Sequence, residues 1–328
     1  MTPLRTVSVI VATRNRPALL RDALRSIRAV EAISDDLKFE ILVGDNGTDA
    51  DAAAVAEEFA ARYFHTPKDG CPAARNLCLA NATGEFIAFL DDDDVWFPEN
   101  IRPQIKMLDE QPSLSAVFGQ IVYADQKLNI VGEAWPSESP VEDDVFVKML
   151  SGYFPQVGAS VIRGSVASEI GLMDETLIGD SDWDWQLQIA RDRAIGFVAV
   201  PGVCCRVRSA GSFDDLTMRR AGFTRRIFWR HALPNLRRWR TPIAFVRSYY
   251  GSQEGYFNYF LEAAMMRASC GEHKGARRAV VRLLGLNPSR GLKMLAGFRP
   301  LREAALYAFG VGGKPEPAPE TPMSEAPQ

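Results

Sequence analysis

The order of apolar patterns along the chain predicts an α/β protein built on a doubly wound parallel sheet. Short β-branched runs, TVSVIVAT at 6–13, FEILVGD at 39–45 and EFIAFL at 85–90, have the near-continuous apolar character of strands buried on both faces. Between them the apolar spacing changes to a helical period. Two of these runs end at a carboxylate, Asp45 and Asp91, on the edge where such sheets bind ligands.

Each element follows in order. After the first strand, RPALLRDALRSIRAV places Leu19, Leu20, Ala23, Leu24 and Ile27 on one helical face, and Pro17 suits a first turn. The second strand precedes helices near 50–60 and 72–82, and the third strand follows. PENIRPQIKMLDEQ, opened by Pro98, reads as a helix and SAVFGQIVYA (115–124) as a strand. Beyond about residue 215 the pattern is helical. Residues 252–290 read as two helices with a Gly turn at 271, and LREAALYAF as another. The pair resembles one unit of a helical repeat, but no second copy follows. From Gly312 the tail is rich in Pro and Glu without an aromatic residue, a composition expected to be disordered. The reading divides the chain into 1–215, a basic helical module at 216–311, and a tail at 312–328.

A content of 47% hydrophobic and 24% charged residues suits a large core plus a smaller module. No run approaches the roughly 18–20 apolar residues that span a bilayer, and MTPLRTVSVIVATRN reads as a strand rather than a signal peptide. Five cysteines, an odd number without a CxxC pair, argue against a disulfide frame or a zinc site. A reduced cytoplasmic protein is the expectation. The net charge of −3 hides an asymmetry, because Leu216–Phe309 carries 18 Lys and Arg against four Glu and no Asp. In RRAGFTRRIFWRHALPNLRRWRTPIAF, arginines alternate with Phe, Trp and Leu. That pattern suits the surface of an anionic membrane or a solvated helical face packed by its apolar side; no nucleic-acid motif accompanies it, and nucleic acid is not an expected partner.

The stretch FIAFLDDDDVWFPEN runs an apolar strand into four aspartates. Adjacent carboxylates repel, so they sit at a solvated turn or hold a cation. Oxygen ligands at a strand end suit Mg²⁺ or Mn²⁺, which then leans on substrate phosphates. Other chemistries lack their motifs. VATRNRP holds no Gly-x-Gly-x-x-Gly for a dinucleotide, and the Gly-rich, Arg- and Lys-bearing loop of a sugar nucleotidyltransferase is absent near the start. With only His65, His231 and His273 and no Gly-x-Ser-x-Gly elbow, Ser-His-Asp hydrolysis is disfavoured.

VSVIVATRNRPALLRDALRSI, ILVGDNGTD, GCPAARNLCLANATGEFIAFLDDDDVWFPENI and GASVIRGSVASEIGLMDETLIGDSDWDWQLQIA occur in the order seen in family 2 glycosyltransferases, and the chain resembles that family over about residues 5–212. The resemblance implies a GT-A type doubly wound mixed sheet with a C-terminal helical module. It implies inverting transfer from a nucleoside-diphosphate sugar, UDP-linked, to a glycan or lipid-linked acceptor hydroxyl, with Mg²⁺ or Mn²⁺. The setting it implies is cell-envelope polysaccharide or glycolipid assembly; the basic module, given a lipid-linked acceptor, adds the expectation of a place at the inner face of the cytoplasmic membrane.

By that resemblance Thr13 and Asp45 match positions that contact base and ribose, and Arg75 an arginine near the base and diphosphate. Asn46 and Thr48 stand where the family often has acid and serine. The D-x-D motif falls on Asp91, Asp92 and Asp93. Asp93 is the candidate metal ligand, and Asp91 or Asp92 meets the ribose or a water on the metal. Asp94 is left to cap the helix that Pro98 opens. Asp182 matches the general base, with Ser181 in place of the usual Glu and with Asp180 and Asp184 as rivals. Of Trp183 and Trp185, one is expected in the core and one at the acceptor. Arg208 stands where relatives often have His, and it can pair with phosphate oxygens but cannot ligate a metal. These departures keep open a non-catalytic sugar-nucleotide-binding or scaffold protein of the same fold.

Overall fold

The computed structural model describes residues 4–48, 51–207 and 214–316. Contacts divide it into two units, one comprising 1–146 and 155–223 and the other 147–154 and 224–328.

The first unit is built on an eight-stranded sheet: β1 (Arg5–Thr13), β2 (Leu37–Asp45), β3 (Arg62–His65), β4 (Phe86–Asp91), β5 (Val95–Trp96), β6 (Leu114–Ala124), β7 (Ser160–Arg163) and β8 (Ala194–Arg206). Their order across the sheet is β3-β2-β1-β4-β7-β6-β8-β5. β1, β2, β3 and β4 are parallel, as is the β6–β8 pair, whereas β7 runs antiparallel to β4 and β6, and β5 to β8. The parallel sheet read from the apolar runs alone is thus a mixed one, as the family resemblance implied. Strand direction is set by the crossover that feeds a strand, and local hydrophobicity carries no trace of it.

β1 to β3 build outward on one side of the sheet, and β4 returns to the other side of β1. This reversal opens a crevice beyond the carboxyl ends of β1 and β4. The register brings Thr13 opposite Asp45 and Ala12 opposite Asp91. Helix α1 (Pro17–Ala32) covers the sheet with buried Leu20, Ala23, Leu24 and Ile27, the predicted face. α2 (Asp51–Glu58) and α3 (Cys71–Leu79) follow. α3 lies so close to β2 that a Cβ on Gly44 would come within 2.3 Å of the Ala74 carbonyl oxygen. Only glycine permits that approach.

Helix α4 (Arg102–Glu110) begins four residues later than Pro98 because Ile101 has φ +73°, and its amide donates to the Gln104 side chain at 2.7 Å. α5 (Val145–Leu150) comes after β6, α6 (Gly164–Ile170) and α7 (Ser181–Asp192) complete the helices of this unit, and α8 (Asp214–Ala232) follows β8.

The second unit contains a 3-10 turn (Leu233–Arg238), α9 (Pro242–Ser252), α10 (Glu254–Ser269), α11 (His273–Leu286), α12 (Pro288–Gly297) and α13 (Arg299–Ala308). The expected turn at 271 is present, with Gly271 at φ +87°. Residues 147–154 join this unit through α9. Ser151 Oγ lies 2.7 Å from Ser248 Oγ, and the backbone passes so close that a Cβ on Gly251 would sit 2.3 Å from the Ser151 carbonyl oxygen. All five cysteines are free. Among the described residues no helix is long and apolar enough to cross a membrane.

Candidate active site

The acidic run leaves β4 at Asp91, and its four carboxylates point into different surroundings. Asp92 is buried. Thr13 Oγ1 donates to its Oδ2 at 2.6 Å, and the Arg16 guanidinium meets its Oδ1 at 2.5 Å. Burial pushes Asp92 up to about 7, with Arg16 pulling the other way. Asp93 also meets Arg16, at 3.1 Å.

Asp94 accepts from the Arg206 amide at 3.0 Å and from Gln156 at 3.4 Å. It caps no helix, which corrects that expectation: it is drawn inward by β8, and α4 starts too far along the chain. Burial, then the neighbouring charges of Asp93 and Asp91, hold its carboxyl well above the usual range. Arg206, itself buried, donates to the Asp93 carbonyl at 3.0 Å and to Asp22 at 2.9 Å.

Carboxylate oxygens of Asp91, Asp93 and Asp94 lie within 4.8 Å of one another. These are hard oxygen donors of the type Mg²⁺ and Mn²⁺ take. Among the described ion pairs, Asp91, Asp92, Asp93 and Asp182 are met by the guanidiniums of Arg16 and Arg75, Asp94 lies beside them, and Asp22 is shared between Arg206 and Arg25. A divalent cation fits this donor set.

Arg75 is fixed by α3, whose approach Gly44 allows. Its guanidinium spans the crevice, reaching Asp91 at 2.6 Å and Asp182 at 3.0 Å, and its side chain is only 5% exposed. The two carboxylates it joins are the accessible ones, at 26% and 29% exposure. Asp182 sits in the first turn of α7, where its other oxygen accepts from the Trp183 amide at 2.9 Å. Trp185 anchors that helix. Its ring packs edge-on to Phe89 of β4 at 5.8 Å, and its Nε1 donates to the Gly171 carbonyl at 2.8 Å. Such an aromatic pair adds about 0.5–1.5 kcal/mol beyond area burial.

Both tryptophans of this turn are buried, so neither is offered to an acceptor as expected. The first turn of α7 presses Trp183 inward together with Trp185. Of the rivals to Asp182, Asp180 is held by Arg220 at 2.5 Å and Asp184 is buried. Asp182 is the one left facing the crevice beside Arg75. Cys71 also faces this group, but burial, opposed by Arg75, pushes its thiol up to about 12, so it stays a neutral thiol.

Asp45 is buried, accepting from the Gly47 amide at 2.6 Å and the Tyr63 hydroxyl at 2.8 Å. It closes the turn after β2, and Thr13 lies beside it in register. Arg208 lies outside the described residues. Sequence reasoning passed over Arg16, Arg206 and Tyr63. Arg16, the last residue before Pro17 in the loop after β1, was the most accessible of these, because loops at the carboxyl ends of strands carry the ligand contacts.

The model for "Glycosyl transferase family 2" matches residues 8–171, half of the 328 residues, and the chain belongs to that family. An uncharacterized glycosyltransferase of Rickettsia conorii is 36% identical over 182 residues, which cover 53% of this chain and 28% of that protein. The chain matches between 20% and 28% of the length of its Rickettsia felis, conorii and bellii relatives. Among solved structures, S. aureus TarS (residues 1–349) in complex with UDP-GlcNAc superposes with a TM-score of 0.59 at 17% identity, over 93% of this chain and 92% of that one. The mannosyltransferase PcManGT of Pyrobaculum calidifontis, in complex with GDP-Man and Mn²⁺, gives 0.51 at 15% identity over 94% and 87%. These likenesses establish the GT-A fold, a mixed sheet with helices and a C-terminal helical region.

Proposed function

We propose that this chain transfers a glycosyl group, with inversion, from a nucleoside-diphosphate sugar to an acceptor hydroxyl. The observation that carries the reading is Arg75, which holds a carboxylate of the acidic cluster and the carboxylate of Asp182 on one guanidinium. A leaving-group site and a proton acceptor thus face one crevice, as a displacement at an anomeric carbon requires.

Asp182 takes the proton of the acceptor hydroxyl as its oxygen bonds to the anomeric carbon. The bond from that carbon to the diphosphate breaks on the opposite side, which inverts the centre. Arg75 orients Asp182 and stands ready to pair with phosphate oxygens. Arg16 and Arg206 keep Asp92, Asp93 and Asp94 in place. Thr13 and Asp45 line the side where base and ribose would lie. Asp93, with Asp91 and Asp94, would hold Mg²⁺ or Mn²⁺, which when bound offsets charge on the departing diphosphate. A UDP-linked donor is favoured by the TarS likeness. A glycan or lipid-linked acceptor in envelope polysaccharide or glycolipid assembly, met at the inner membrane face, completes the reading.

The test is nucleotide release from a panel of UDP- and GDP-sugars with Mn²⁺ or Mg²⁺. At least one donor is expected to be turned over, slowly to water and faster with acceptor, and EDTA or Asp93→Asn should abolish it. If a donor raises the melting temperature yet no donor is ever cleaved, the chain is a binding protein. If EDTA and Asp93→Asn both leave full turnover, the metal site is wrongly placed.

A further inference from the structure

From Leu216 to Gln253 the sequence holds nine arginines and no Asp or Glu. The last part of this segment, from Leu233 to Arg247, exposes most of its large apolar and basic side chains in the second unit. The Trp229 ring packs against Phe245 at 5.8 Å and Tyr249 at 5.5 Å between ring centres, which ties the end of α8 to α9. Arg226, Trp229, Arg230 and Leu233 follow helical spacing along one exposed edge, and Ile243, Val246 and Arg247 do so on α9. The exposed apolar groups are large and close in sequence: Leu233 at 55%, Leu236 at 49%, Ile243 at 66% and Val246 at 49%. Single exposed apolar residues are ordinary, but a run of them rimmed by charge marks a surface that meets something.

We propose that this stretch docks on the surface of an anionic lipid bilayer, independently of the chemistry of the crevice. Leu233, Leu236, Ile243 and Val246 enter the boundary between headgroups and acyl chains, while Arg237, Arg240 and Arg247 pair with lipid phosphates. Charge selects this occupant. A second copy would bring one arginine-rich face against another, and nucleic acid would satisfy the arginines but leave the aliphatic groups in water. An anionic bilayer satisfies both.

The experiment is vesicle sedimentation of the full chain. It should pellet with vesicles containing phosphatidylglycerol at low salt, less at high salt, and little with phosphatidylcholine alone. Replacing Arg237, Arg240 and Arg247 together by Gln should lower partitioning roughly 10²-fold, each arginine near the surface contributing about 5-fold. Ile243→Glu with Val246→Glu should lower it too. Trp229, 40% exposed, is the most exposed of the six tryptophans. Tryptophan emission of the native chain should shift to the blue with anionic vesicles, and Trp229→Phe should lose that shift. This readout holds even if a multiple variant fails to fold. The proposal is overturned if the chain stays in solution with anionic vesicles, if the arginine variant pellets like the native chain, or if the emission is unmoved. It is also overturned if an oligonucleotide, but no vesicle, shifts the emission, or if the face proves to hold two copies together.

Discussion

In the first unit the buried Asp92, Asp93, Asp94, Arg75 and Arg206 are held by short ion pairs and hydrogen bonds: Arg206 binds Asp94 and the Asp93 carbonyl, Arg16 binds Asp92 and Asp93, and Arg75 binds Asp91 and Asp182. In the second unit Arg237, Arg240 and Arg247 stand in solvent beside exposed Leu236, Ile243 and Val246. A buried charge persists only where partners offset its desolvation, so the first arrangement must be complete to be stable, and each member constrains the others. Exposed charges bear no such constraint. They can be added or lost with little effect on the fold, and an accumulation of one sign reflects what the surface meets rather than what holds it together. The contrast can be broken or sharpened by removing one charge of each kind.

The largest effect is expected at Asp182. Asp182→Asn keeps the size and part of the hydrogen bonding of the side chain but cannot accept a proton. Turnover should fall roughly 10²- to 10⁴-fold, the usual worth of a general base, with donor affinity little changed. Steady-state rates and donor binding measured together check this. Equal turnover in the variant would transfer the role elsewhere, with Asp180 disfavoured by its pairing to Arg220.

Next is Arg206, which a purely structural role would make costly. Arg206→Gln removes the donors to the Asp93 carbonyl and to Asp22. Breaking a buried ion pair costs about 3–5 kcal/mol, and the lower end applies because Asp22 is 39% exposed and can rehydrate. Urea unfolding should show a loss of stability of that size, read as a lower midpoint at an unchanged slope. A shift under 1 kcal/mol would mean that the acidic turn keeps its shape without Arg206.

How far these features were legible follows from the same contrast. The long apolar runs and the 3.6-residue spacing of Leu20, Ala23, Leu24 and Ile27 located β1, β2, β4, β6 and α1, because burial leaves a periodic mark on sequence. β3 and β5 left none: Arg62–His65 is only partly covered, and Val95–Trp96 is two residues long. The antiparallel course of β7 is a property of its crossover. Asp91, Asp93 and Asp182 stood out through the resemblance to a known motif order, as did Arg75, yet the other arginines around them did not. Arg16, Arg206 and Arg220 come from β8 and from the loop and helix around it or from the turn after β1, and only the fold reveals that they answer the aspartates. The inward turn of Trp183 was equally hidden, since the start of a helix shows no period long enough to distinguish inside from outside. That of Asp94 was hidden because β8, which draws it in, lies more than a hundred residues along the chain.

The smallest expected effect on stability, and the one that separates the two kinds of charge most directly, is at Arg237. It is exposed in the 3-10 turn, within a stretch that has no acidic residue. A surface substitution away from caps and cores usually changes stability by less than about 0.5 kcal/mol, so Arg237→Gln should melt like the native chain and turn over donor at the native rate. Its binding to anionic vesicles should nevertheless drop about 5-fold at low salt, the share of one arginine near a charged surface, and the difference should shrink as salt screens the attraction. Arg206→Gln should give the reverse pattern, losing stability while a folded fraction still binds vesicles. If Arg237→Gln instead destabilises the chain by more than 1 kcal/mol, its charge is part of the packing of the second unit, and the division between charges that hold the fold and charges that face a partner fails there.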